Sequence, residues 1–183
     1  ATDGYKVVIA EAGAIPPLVS LVHAGSVIAQ TNAAGALRVL TLNDDNKLAV
    51  ASAGGIPPLV ALVKNGDDEG KAKAAAALWN LSVPNALKVT IHEEGGLAVL
   101  LALLRDGSKN AKYQALGALC NLSRNKECKV TLAATGAILP LFACVRDGIN
   151  KAKAAGTLWH LAMKDECKID IATAGGIPLL RDL

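Results

Sequence analysis

The stretch KLAVASAGGIPPLVALV, residues 47–63, decides how this chain is read, because it recurs. It appears as KVVIAEAGAIPPLVSLV from Lys6, KVTIHEEGGLAVLLALL from Lys88, KVTLAATGAILPLFACV from Lys129 and KIDIATAGGIPLLRDL from Lys168. The five starts are separated by 41, 41, 41 and 39 residues. Self-similarity at a fixed period of this length marks a stack of structural units, each too small to bury its own apolar surface.

Within one period the signals predict three helices. In the second copy a short helix over about 46–53 stops at Gly54-Gly55, where a residue lacking Cβ can take the left-handed conformation. Pro57-Pro58 open a second helix, tolerated because first-turn N–H groups have no intrahelical acceptor. It ends at Asn65-Gly66. After the polar turn DDEG a third helix is expected over about 71–83, stopped by Pro84. Such a unit exposes apolar faces on both sides and must stack on copies of itself, giving an all-α solenoid. Units are expected at about 5–46, 47–87, 88–128 and 129–167, with a partial fifth at 168–183, all in one domain spanning 1–183. Neither end carries a polar cap, so the chain reads as an excerpt of a longer protein whose open ends can associate end to end.

Composition agrees. With 52% hydrophobic and 19% charged residues the chain should fold, and 3% aromatic content points to closely packed helices. The uncharged run over 12–37 contains Pro16-Pro17, Gly25, Gln30 and Asn32, so no membrane span is expected, and no secretory signal is visible. A net charge of +3 without a dense Lys/Arg stripe argues against nucleic acid. Cys120, Cys128, Cys144 and Cys167 form no C-x-x-C pair and the three histidines are scattered, so neither a metal site nor a cofactor is expected. Reduced, packed thiols fit an intracellular setting, cytoplasmic or nuclear.

The third helices vary in one place. AAGALRVLT (33–41), AAAALWNLS (74–82), ALGALCNLS (115–123) and AAGTLWHLA (154–162) share a frame around the pairs Arg38-Val39, Trp79-Asn80, Cys120-Asn121 and Trp159-His160. On a helix Ala74, Leu78 and Leu81 share an inward stripe, while Lys73, Ala76, Trp79, Asn80 and Val83 share another that would floor a groove between stacked units. Gly35, Ala76, Gly117 and Gly156 would let a guest backbone come close. An Asn amide offers both a donor and an acceptor to any peptide main chain. With helices about 8–10 Å apart and an extended chain advancing about 3.3 Å per residue, one amide per unit could hold every second or third guest residue.

The repeat GGIPPLVALV with a third helix ending ALWNLS resembles the armadillo repeats, over nearly the whole chain, and AAAALWNLSVPNALKVTIHEEGG is similar to the arrays that follow U-box domains in plant ubiquitin ligases. The resemblance implies a right-handed superhelical solenoid and a non-catalytic scaffold that binds an extended peptide, with Asn80 and Asn121 as a main-chain ladder. Val39 and His160 depart from that pattern. Val39 can make no such bond, and a charge on His160 near neutral pH would make binding pH-dependent, unless that ring is only hydrogen-bonded or solvated. The importin-α branch carries a Trp four residues before the Asn; here Gly35, Ala76, Gly117 and Gly156 stand there, which argues against a nuclear-import adaptor.

Trp79, Trp159 and Tyr113 could stack on guest side chains, packing between third helices being the other reading for the tryptophans. Gln114 lies on the same stripe. Lys73, Lys153, Arg38 and Arg124 edge the groove and, unless they are simply solvated, favour a protein or peptide guest carrying Asp, Glu or phosphate. Cys120 and His160 are one or two units apart, roughly 10–20 Å, too far for a nucleophile and its base, and no enzyme is expected. Substrate selection within a U-box ligase and a self-associating structural rod remain as alternatives. Finally, the period of 39 comes from two residues missing between Asp147 and Gly156, in the turn before the fourth unit's third helix, which predicts a tighter turn there together with a shorter third helix, in a stack that stays continuous.

Overall fold

The computed structural model describes residues 3–173, which form thirteen α-helices and, among those residues, no strand. The first unit comprises α1 (Asp3–Glu11), α2 (Ile15–Ala24) and α3 (Val27–Leu40). The second comprises α4 (Asp44–Ser52), α5 (Ile56–Asn65) and α6 (Asp68–Leu81), and the third α7 (Asn85–Glu93), α8 (Gly96–Asp106) and α9 (Lys109–Leu122). The fourth comprises α10 (Lys126–Ala134), α11 (Ile138–Arg146) and α12 (Lys151–Ala162), after which α13 (Asp165–Thr173) begins a fifth. The second helix expected beyond it lies outside the described residues.

Each bend has a chemical cause. Gly13, Gly54, Gly95 and Gly136, one per unit, have φ between +69° and +80°, a conformation an L side chain resists. The first and second helices then meet at 78°, 85° and 86° in units one, two and four. Pro16-Pro17 and Pro57-Pro58 occupy the opening positions of α2 and α5. The side chains of Ser26, Asp67 and Ser108 accept the N–H groups of Ala29, Gly70 and Ala111, capping α3, α6 and α9. The caps place each third helix two to three residues earlier at both ends than the 71–83 expected for unit two.

The third helices lie side by side as one layer, α3 on α6 on α9 on α12, backed by α2, α5, α8 and α11. Leu37, Leu78, Leu119 and Leu158 occupy one register and are buried, as are Leu40, Leu81, Leu122 and Leu161. They belong to one apolar core running through all four units. Ala33, Ala74, Ala115 and Ala154 are also buried, and these small residues allow the close helix spacing. Among the described residues no single helix is long and apolar enough to cross a membrane. The four cysteines are buried, each on a different helix, and burial pushes the Cys128 and Cys144 thiols up.

The fourth unit corrects one expectation. The connection into its third helix is longer, not tighter: residues 147–150 join α11 to α12, whereas residues 107–108 join α8 to α9. The missing residues come out of the helices, α12 having 12 residues against the 14 of α3, α6 and α9. Gly148 (φ +70°) and Asn150 (φ +46°) turn the chain through left-handed conformations, and buried Ile149 between them anchors the turn in the core. The stack continues through α12.

Candidate functional site on the third helices

The variable pairs lie in line across the exposed face of the third-helix layer, near the C-terminal ends of the helices. Those ends leave carbonyls without intrahelical partners. The Asn80 Nδ2 donates to the Arg38 carbonyl (2.9 Å) and to Thr41 Oγ1 (3.3 Å) of the preceding unit. One unit on, Asn121 Nδ2 donates to Ser82 Oγ (3.1 Å) and more weakly to the Trp79 carbonyl (3.4 Å). In the next unit the His160 Nδ1 is 2.8 Å from Ser123 Oγ. Since the Ser123 hydroxyl already donates to the Cys120 carbonyl, Nδ1 carries the proton and donates to it. His160 therefore takes the same place in the series as the two amides.

The amides were expected to offer a guest both a donor and an acceptor. Their donors are instead spent on the preceding helix, whose carbonyl can only accept, which fixes which end of the amide is nitrogen. Each Oδ1 has no partner among the described residues and is not a buried unsatisfied atom, so it meets solvent. The residues missed by sequence reasoning are Thr41, Ser82 and Ser123. Their signal was a hydroxyl two residues after each variable position, replaced by Ala162 in the fourth unit.

Two of the four small residues, Gly35 and Gly117, do not leave an open floor. A Cβ at Gly117 would overlap the Trp79 ring of the neighbouring helix, so Gly117 is the seat of Trp79. Trp79 also meets Tyr113 edge-on, with ring centroids 6.0 Å apart, and the Lys153 ammonium lies 5.9 Å from its ring centroid. Trp79 is thus packed between third helices, while Trp159 is 63% exposed beside His160. Gly35 lies beneath the Lys73 stem, whose ammonium pairs with Glu69 at 2.8 Å. Gln114 is tied to Asn110, also on α9. Arg38 and Arg124 are exposed and carry no ion pair among the described residues, and Val39 is 42% exposed.

Two hollows border this line. One, of about 290 Å³, lies over Ala76 between Arg38, Leu42, Trp79, Asn80 and Gln114. The other, of about 420 Å³, lies between Val83, Asn85, Lys88, Asn121 and Arg124. Burial first, then the Lys129 and Arg124 charges, push the His160 pKa below its ordinary 6.5. The shift favours the neutral ring, and the bond to Ser123 corresponds to the hydrogen-bonded reading of His160. Among the described residues no group of three or more His, Cys, Asp or Glu side chains is placed to hold a metal.

The fold and this face define an α-solenoid of stacked three-helix units. A model of the armadillo/beta-catenin-like repeat matches residues 2–42, 43–83 and 84–124, more than half of the chain, and the chain belongs to that family. It is similar in structure to computationally designed armadillo repeat proteins for modular peptide recognition (29% identity, TM-score 0.89, 97% of this chain and 77% of the other). A designed armadillo repeat protein in complex with the peptide (KR)4 is also similar (27% identity, TM-score 0.85, 99% of this chain and 78% of the other). No curated protein matches the chain.

Proposed function

We propose that this chain is a protein-interaction module that binds an extended segment of a partner polypeptide along its third helices. The observation that carries the reading is the pair of outward acceptors, Asn80 Oδ1 and Asn121 Oδ1, each locked by its own nitrogen to the helix before it. A locked acceptor costs little entropy on binding and takes a main-chain N–H whatever the guest side chain. The designed relative bound to (KR)4 supports the peptide reading. The local charge here has the opposite preference: Arg38 and Arg124, without carboxylate partners among the described residues, favour an acidic segment. Trp159 supplies the open aromatic surface. Buried thiols that stay reduced suit the cytoplasm or nucleus. On the resemblance to plant U-box arrays, the guest would be a ligase substrate, and a U-box encoded ahead of the array tests that extension.

The test is selection of a random peptide library on the wild type and on Asn80→Ala/Asn121→Ala, both checked for folding by circular dichroism. Enrichment on the wild type that the double variant loses supports the groove; enrichment indifferent to the substitutions refutes it. One observation favours self-association as a second reading: Tyr5, Val8, Val27 and Ile28 are exposed on the first unit. A solution mass that rises with concentration supports it, and a constant monomer mass sinks it.

A further inference from the structure

A lysine recurs at the same place in every first helix, as Lys6, Lys47, Lys88, Lys129 and Lys168. Lys47 and Lys88 are both more than nine-tenths buried, and a buried ammonium needs a counter-charge or a full set of hydrogen bonds. In the second and fifth units the residue three positions earlier supplies the charge: Asp44 pairs with Lys47 and Asp165 with Lys168. The corresponding residues of the third and fourth units are Asn85 and Lys126. Lys88 consequently donates to the neutral Asn85 Oδ1 at 2.6 Å and has no carboxylate partner among the described residues.

The third unit compounds the deficit. The position held by Leu42, Val83 and Met163 elsewhere is Arg124 here, a second cation beside the first. Burial, and next the Arg124 charge, push the Lys88 pKa down, the direction expected where positive charge lacks an anion. Lys129 and Arg124 also act together on His160. The two cations open into the hollow of about 420 Å³ that Asn121 borders, so the site adjoins the ladder. Lys88 retains two N–H donors after its bond to Asn85, and Arg124 retains all five.

We propose that this hollow is a subsite for a phosphorylated serine or threonine of the guest segment, held by Lys88 and Arg124. The inference rests on the groove reading and gives it a substrate class. A carboxylate would answer one cation, as Asp44 does for Lys47. A phosphate monoester carries a charge of about −1.5 to −2 at neutral pH and three acceptor oxygens, which answers two cations and their free donors. Anchored there, the phosphate places the flanking main chain on Asn121 Oδ1.

The test uses heptapeptide libraries with a fixed central phosphoserine, serine or glutamate, selected on the wild type, Asn85→Asp, Arg124→Leu and Asn80→Ala/Asn121→Ala, with thermal midpoints confirming folding. Asn85→Asp restores the internal carboxylate found beside Lys47, and Arg124→Leu restores the residue type of the other units. On the wild type the expected preference is about tenfold for phosphoserine over serine and about threefold over glutamate, a gain consistent with one to three charge-assisted bonds. Both single variants should abolish it. Equal enrichment of phosphoserine and serine, a glutamate library that matches phosphoserine, or a preference that survives Asn85→Asp would each overturn the proposal. Serine libraries that bind the wild type and lose binding on the double variant, with no phosphoserine preference, sink this subsite and leave the groove standing. A phosphoserine preference that persists on the double variant, with no binding of serine libraries, supports the subsite and sinks the ladder.

Discussion

At the residue scale, Asn80 and Asn121 serve structure and recognition with opposite ends of one amide. The nitrogen caps the helix before it, and the oxygen is left for a guest. Either substitution to Ala should therefore cost stability as well as binding, about 1 kcal/mol each for the lost bonds, measured as a lowered urea midpoint. His160 holds the third place through Nδ1–H, leaving Nε2 to titrate. Its folded pKa lies below the ordinary 6.5, so between the two values the unfolded chain binds more protons. Its contribution is in full force above about pH 6.5 and is lost as pH falls through the depressed folded value. Urea midpoints across that window should slope downward toward acid, and His160→Asn, which keeps a donor but cannot titrate, should flatten the slope; an unchanged slope would assign it to another group.

At the element scale, a glycine-dependent fit joins α6 to α9, and a left-handed turn leads into α12. Gly117 seats Trp79, so Gly117→Ala should destabilise by about 1–3 kcal/mol through overpacking. In a Trp79→Leu background the same substitution should cost much less, and a double-mutant cycle without coupling would contradict the fit. In the fourth unit Asn150 stands at φ +46°, a conformation Asn tolerates better than Ala. Asn150→Ala is expected to lower stability by about 1 kcal/mol while Asn150→Gly changes it little, as thermal midpoints would show. Sequence spacing located the two-residue loss in the fourth unit but assigned it to the turn. Spacing counts residues between landmarks and cannot say whether helix or loop gives way; here the buried Ile149 anchor keeps the loop long and α12 short.

At the scale of the whole molecule, the repeat made the architecture legible because the glycine, the prolines and the buried leucines recur in register, and each dictates a local backbone state or a buried contact. The inward stripe of Ala74, Leu78 and Leu81 follows from the same periodicity. The groove face was legible in part. Helical spacing brought Trp79, Asn80 and Lys73 onto one face, yet Asn80 bonds to Arg38 and Thr41, 42 and 39 residues earlier, and Trp79 packs on Gly117 of α9, partners on which a single helix's periodicity is silent. That is why Gly117 read as room for a guest and the amides as free at both ends. The central claim, that Asn80 Oδ1 and Asn121 Oδ1 accept main-chain N–H groups of an extended guest, is tested most directly by scanning a selected peptide with backbone N-methylation and measuring each affinity. The expected result is a periodic loss of about tenfold at every second or third position, with the positions facing the two amides becoming insensitive in Asn80→Ala/Asn121→Ala. A scan in which no position, or every position alike, loses affinity would contradict it.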